Sequence, residues 1–479
     1  MSLINQTKLA VFWSICQQFS VKIIGLVINI FLARILSPAE FGLIAMLSVF
    51  ISIGNSLMDS GLTSSLIRSR YSGQKDYSTV FIFNLIGGFS AYGILYISAP
   101  IIADFFRQPL LISIIKVYGL TFIINGFFSI QNTLIVKEMQ FKKQALIQIP
   151  AVIVAGCVGI LLAINGSGVW SLVYMYLATP LVSTALHWYY SSWRPRLIFS
   201  KRSFKKHFHF GYKMTLSGLI DTLYQNIYTI IIGRFYAVTQ LGYYSRASTL
   251  SQFPIGIISS AINKVAYPMF SSISHDDKKL KTAYQKLMQQ VLFWNAPSLI
   301  FLAIIAEPLI SLLLTDKWLQ AVPYFQILCI AGILFPLHTY NLNILKVKGH
   351  SGQYLKLEII KKVLMVLGII CVIPFGIMGL LYFHLFFTVF AYYINSFYSG
   401  KLINYPILEQ LKDVWPVLFL SGILGLAIYF LDQTIFTPYQ NKLLRILITG
   451  ISYSSLYLFV SYLIKLAPLT DFKQIILKK

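Results

Sequence analysis

The chain of 479 residues is short of charge, and above all of negative charge: charged residues make up 11%, with 15 Asp and Glu against 39 Lys and Arg. So few ionisable groups, at a mean hydropathy of +0.71, exclude a soluble globular protein of this size. Cysteine is equally sparse. Cys16, Cys157, Cys329 and Cys371 show no CxxC spacing and no neighbouring His pair, so neither a zinc site nor a disulfide framework is expected and all four read as small apolar packing residues. No DxD, GxxxxGK[ST] or HExxH string occurs. Nothing therefore points to sugar-nucleotide, ATP or zinc chemistry, and neither cofactor nor metal is expected.

What is abundant is hydrophobic sequence, 57% of the chain, in about fourteen runs near the roughly 20 residues that a bilayer-spanning helix needs. Two of these runs are 212–235 and 247–269, and the stretch from 357 to 398 divides at Pro374-Phe375-Gly376. The first run, 10–33, is too long and too polar for a cleavable signal peptide. The expected class is an all-α, multi-pass membrane protein. Its net charge of +24 is explained by position: with both termini cytoplasmic, thirty Lys and Arg fall at inner ends, seven at outer ends, and Lys22 and Lys116 within spans. That is the positive-inside rule, and it removes the case for nucleic acid as a partner. Trp188, Trp193, Trp318 and Trp415 sit near span ends, where indoles suit the headgroup level.

The chain also repeats itself. Leu32-Ala33-Arg34 running to Phe41-Gly42 returns 200 positions later as Ile232-Gly233-Arg234 running to Leu241-Gly242. Leu134-Ile135-Val136-Lys137 and Leu345-Lys346-Val347-Lys348 continue the likeness, as do Gly168-Val169-Trp170-Ser171-Leu172 and Gly376-Ile377-Met378-Gly379-Leu380. The expectation is two six-helix lobes, 1–200 and 201–400, sharing one orientation about a pseudo-twofold along the membrane normal. Residues 401–479 then supply two extra helices and a short cytoplasmic tail, and function is to be sought between the halves.

Polar residues inside the spans recur at helical spacing. Ser14, Gln18, Lys22, Gly25 and Asn29 share a face of the first span, and Ser48, Ser52, Asn55 and Asp59 one of the second. Span seven carries Ser217, Asp221, Gln225 and Tyr228; span eight carries Ser248, Gln252, Ser259 and Asn263. Single residues of this kind often only bond between helices, but together the four stripes point to a hydrated cavity. Lys22 and Asp221 lie at matching depth, roughly 18 to 20 Å from the outer helix ends. A lone charge there costs at least about 2.5 to 3.5 kcal/mol, so each is expected to face water, a ligand, or the other in an ion pair. His338, Asn341, Asn343 and His384 read as packing residues rather than a proton relay.

Several strings resemble the bacterial polysaccharide transporter family, the Wzx-type flippases, which share a superfamily with multidrug exporters and peptidoglycan lipid flippases. They are Ala33-Arg34-Ile35-Leu36-Ser37-Pro38-Ala39-Glu40-Phe41-Gly42, Asp59-Ser60-Gly61-Leu62, Phe210-Gly211, Gln225-Asn226, Gly233-Arg234, Leu241-Gly242-Tyr243-Tyr244-Ser245-Arg246-Ala247 and Leu355-Lys356-Leu357-Glu358. The resemblance covers nearly the whole chain. It implies a non-enzymatic flippase of the bacterial inner membrane that moves an undecaprenyl-diphosphate-linked oligosaccharide outward by alternating access between two lobes. Capsule, exopolysaccharide and O-antigen are all destinations it allows, with a polymerase and other assembly proteins as partners. For such a cargo, Lys22, Arg34, Arg234 and Lys264 offer positive charge to the diphosphate. Gln18, Asn29, Asn55 and Gln225 offer amides to sugar, and Asp59 and Asp221 are candidates for coupling or ion pairing. A small-cation exporter should present an acidic site instead, and a glycan polymerase a large outer loop or an acidic catalytic pair.

Overall fold

Ser37-Pro38-Ala39-Glu40 is a helix start written in four residues. Proline at the first helical position gives up no needed N–H, and the Glu40 carboxylate accepts from the Ser37 backbone N–H at 2.6 Å and its hydroxyl at 2.9 Å. Such starts and stops divide a computed structural model that is helical throughout its regular structure. It describes residues 3–59, 61–69, 71–436 and 441–471, leaving aside the side chains of 3–8, 59, 210, 213, 214, 257–265 and 436. Asp59 and Lys264 thus lie outside the described side chains.

The first compact unit, Met1–Gly242, holds α1 (Leu3–Ile35), α2 (Pro38–Asp59), α3 (Leu62–Arg68), α4 (Gln74–Phe106), α5 (Leu111–Tyr118), α6 (Leu120–Lys137), α7 (Phe141–Ile164), α8 (Val169–Tyr190), α9 (Lys201–Gln225) and α10 (Ile227–Phe235). Here α7 packs between α1 and α8, α6 against α4 and α8, and α9 against α2, α3 and α4. The next helix, α11 (Val238–Ser272), begins in this unit and continues into the second. Two glycine contacts set the packing. A Cβ on Gly42 would lie 2.0 Å from the Val238 carbonyl oxygen, and one on Gly242 would lie 1.8 Å from that of Pro38. The two copies of the repeated string therefore meet through their glycines, main chain against main chain. Gly61, at φ 66°, is likewise 2.6 Å by such a Cβ from the Gly211 oxygen, so two more motif glycines are explained by close approach.

The second unit, Tyr243–Lys479, holds α12 (Asp277–Ile304), α13 (Ala306–Leu314), α14 (Val322–Gly332), α15 (Phe335–Val347), α16 (Ser351–Val372), α17 (Gly376–Leu402), α18 (Ile407–Leu431) and α19 (Lys442–Leu463). Asp276 caps α12, its carboxylate accepting from the backbone N–H groups of Lys278 and Lys279; those bonds hold its pKa below the usual carboxylate value. At the other end of the unit, Arg445 donates to both oxygens of fully buried Asp432, at 3.0 and 2.5 Å, and Thr449 donates to the same carboxylate. This buried cluster ties the end of α18 to α19.

Among the described residues, eleven stretches are long and apolar enough to cross a membrane, which bears out the all-α membrane class. One of them, Ser351–Leu402, turns at Ile373–Phe375, where the sequence places its break. The expected spans 212–235 and 247–269 are helical but are not among the eleven: the polar stripes of α9, interrupted at Asn226, and of α11 lower their hydropathy. Trp318, expected near a span end, stands in the connection between α13 and α14. It is fully buried in the 3-10 turn Asp316–Ala321, packed edge-on to Tyr243.

Candidate functional site

A half-open cavity of about 460 Å³ lies within the first unit, walled by α1, α2, α5, α6, α7 and α8. Its polar side chains come from nearly every wall: Asn29 from α1, Asn55 from α2, Asn125 from α6, Gln148 from α7, and Thr179 and Ser183 from α8. Asn125 donates to the Asn55 side-chain oxygen at 3.0 Å, Gln17 to that of Gln148, and Asn29 to the Gly25 carbonyl at 2.8 Å. These bonds fix the amides without exhausting them, since each primary amide has two donor hydrogens and two acceptor lone pairs. The aromatic part is stacked too, Tyr118 on Tyr176 at 5.7 Å and Phe128 on His187 at 4.9 Å.

Two buried polar atoms of the wall have no hydrogen-bond partner: Thr121 Oγ1 and His187 Nε2. The imidazole tautomer follows from geometry. His187 Nδ1 lies 2.7 Å from the Ser183 carbonyl, which only accepts, so Nδ1 carries the hydrogen and Nε2 of the neutral ring is a bare acceptor. Leaving such groups unmet costs about 1 to 3 kcal/mol each, and neither atom is open to the cavity, so the wall itself bears that cost. Among the described residues lining the cavity there is no Lys, Arg, Asp or Glu.

Of the residues singled out by sequence, the cavity gathers Asn29 and Asn55, with Gly25 from the same stripe. Lys22, one turn from Gly25, is exposed and makes no hydrogen bond or ion pair among the described residues; none joins it to Asp221. Gln18 bonds to Ser14 within α1 at 3.1 Å, and Asp221 and Gln225 are exposed on α9. Arg34 is exposed in the last turn of α1. Arg234, its counterpart in the repeat, donates to the Phe105 carbonyl and stands 5.1 Å over the Phe105 ring, which fastens α10 to the end of α4. Asn125, Gln148, Thr179, Ser183 and His187 were not anticipated, although the last three recur every four residues on α8. Asn341 is buried between Ser396 and Ser399, as a packing residue should be.

At a level above single residues, the fold is that of a multi-pass membrane transporter: it is similar to a structure of the lipid II flippase MurJ in an inward closed conformation, at a TM-score of 0.72 and 17% identity over 95% of this chain and 99% of that one. Residues 31–323 match the family described as polysaccharide biosynthesis protein, and the chain belongs to that family. It is similar to the lipopolysaccharide biosynthesis protein WzxC of Escherichia coli strain K12, 26% identical over 376 residues, 77% of this chain and 76% of the relative. It is also similar to the succinoglycan biosynthesis transport protein ExoT of Rhizobium meliloti strain 1021, 27% identical over 333 residues, 68% and 67% of the two chains. The resemblance to the polysaccharide transporter family is thereby borne out.

Proposed function

We infer that this protein is a flippase that carries an undecaprenyl-diphosphate-linked oligosaccharide from the inner to the outer leaflet of a bacterial inner membrane, for a surface polysaccharide. The reading rests on the family match, on relatives named for polysaccharide biosynthesis and transport, and on one physical observation above all. A cavity whose largely apolar wall is set with four amides and with hydroxyls lies among helices whose outer faces are apolar, and those polar groups give a polar headgroup partners while it leaves water without entering hydrocarbon. The absence of a carboxylate among its described lining residues argues against a small organic cation as cargo.

The proposal carries further expectations from the sequence. Fourteen spans with both termini cytoplasmic, and the grouping 1–200, 201–400 and 401–479, belong to it. So do Lys22, Arg34 and Lys264 as cations for the diphosphate, Asp59 and Asp221 as groups that exchange partners with them during the cycle, and a polymerase as the next protein to receive the cargo. Arg234, held at Phe105, is an anchor of the helix end. Deletion of the gene in its host should abolish the surface polysaccharide and leave lipid-linked repeat units facing the cytoplasm. Undiminished surface polysaccharide, with no such accumulation, would overturn the reading.

A further inference from the structure

We propose that the cavity of the first unit is a subsite for one uncharged sugar residue, such as a hexose or N-acetylhexosamine, and that it discriminates against acidic sugars. The inference rests on the flippase reading and adds to it the kind of headgroup that this site takes.

The chemistry of the wall selects the ligand by elimination. An alkyl chain would suit the apolar part of the wall but strand the amides of Asn29, Asn125 and Gln148 against hydrocarbon; among the described lining residues a diphosphate or uronate would find no cation, and an organic cation no carboxylate. An uncharged molecule rich in hydroxyl groups remains. A sugar hydroxyl both donates and accepts, so it can meet the side-chain oxygen of Asn125 and the side-chain N–H groups of Asn55 and Gln148, which the bonds to Asn55 Oδ1 and Gln148 Oε1 leave over. A carboxylate has no hydrogen to give to the Asn125 oxygen, and its charge meets no cation among the described lining residues. The stacked rings of Tyr118 and Tyr176 add an apolar surface suited to the C–H face of a pyranose. The volume of about 460 Å³ falls in the range of roughly 300 to 1,000 Å³ typical of small-ligand sites.

Gly25 provides a way to close the site without disturbing its frame. It lines the cavity, and a Cβ built on it meets nothing within 4 Å, so a larger side chain there grows into open space. Gly25→Phe should therefore fold and put a phenyl ring into the space a sugar ring would take.

The test uses the purified full-length protein in lipid nanodiscs, free of alkyl-glycoside detergent, with saturation-transfer NMR as the readout. The probes are the methyl glycosides of glucose, galactose, mannose and N-acetylglucosamine, set against methyl glucuronide. At least one neutral glycoside should bind, and the glucuronide at least about tenfold more weakly, because its charge gives up part of its hydration with no cation in the described wall to replace it. Binding should vanish in Gly25→Phe. No binding of any neutral glycoside, equal binding of the glucuronide, or binding that survives in a folded Gly25→Phe would each overturn the proposal. The neutral-against-acidic comparison needs only the wild type, so it decides even if the variant fails to fold. Transbilayer movement of a labelled lipid-linked oligosaccharide, measured on the same preparation, separates the two levels. Movement without sugar selectivity overturns the subsite alone, and no movement overturns the flippase reading beneath it.

Discussion

Replacing Gly242 by alanine puts a methyl carbon 1.8 Å from the Pro38 carbonyl oxygen and 2.6 Å from its carbon. A carbon and a carbonyl oxygen rest at roughly 3.3 Å, so the two main chains must part by about 1.5 Å. At Gly42 the obstacle is the Val238 oxygen at 2.0 Å, which requires about 1.3 Å. Neither obstacle is the tip of a flexible side chain. Pro38 has a fixed φ and stands next to the Ser37 and Glu40 capping bonds, so the strain has no cheap outlet. Overpacking of this kind costs about 1 to 3 kcal/mol, against at most about 1 kcal/mol gained by alanine over glycine in a helix. Each variant should thus melt below wild type, and the double variant should lose less than the sum, because the second methyl enters a gap the first has opened. Gly25→Ala is the control: its Cβ meets nothing within 4 Å, so it should melt at or above wild type. Thermal unfolding of the purified proteins reads all four. A Gly242→Ala protein as stable as wild type would refute the argument that the repeated strings meet through their glycines.

Asp432→Ala should cost about 3 to 5 kcal/mol by leaving Arg445 unpaired, whereas the joint change Asp432→Leu with Arg445→Met should recover most of it; melting temperatures that fail to recover would count against the pair as the cause. His207 is fully buried, with Ser65 Oγ 2.8 Å from Nδ1 and Asp76 3.5 Å from Nε2. Burial holds its pKa below the usual imidazole value despite Asp76, with Lys206 and Lys137 pressing the same way as burial. The unfolded chain then binds the extra proton, so stability should fall as pH drops below about 6.5. His207→Gln should flatten that slope, and an unchanged slope between pH 7.5 and 5.5 would remove His207 as its source. Arg234→Ala should lower stability by about 1 kcal/mol and leave export in place; loss of export at normal abundance would return Arg234 to the cargo site.

Much of this was legible because it is local. The turn at Pro374-Phe375-Gly376 and the hydropathy of the spans each depend on residues close in sequence. Asn29 and Asn55 were legible because a stripe at helical spacing marks a face, and part of each stripe, Gly25 and Asn29 on α1 and Asn55 on α2, borders the cavity. The opposing wall was missed for a different reason. Thr179, Ser183 and His187 form the same four-residue rhythm on α8, but two hydroxyls and a lone imidazole stand out less from an apolar run than the Lys, Asp and amides of the other stripes. The Asp432 and Arg445 pair spans the end of one helix and the start of another, so no single-helix pattern contains it. Lys22 and Asp221 marked equal depth, but depth fixes neither partner nor direction.

The activity proposed for this protein is transbilayer movement without chemical change, and the direct measurement is reconstitution. Purified protein in liposomes carrying a fluorescent undecaprenyl-diphosphate-linked oligosaccharide in the inner leaflet should expose the label to an external sugar-modifying enzyme or lectin. The rate should scale with the amount of protein, and the recovered lipid should be chemically unaltered. Label that stays inaccessible at the rate of empty liposomes, or that is recovered polymerised or cleaved, would contradict the account.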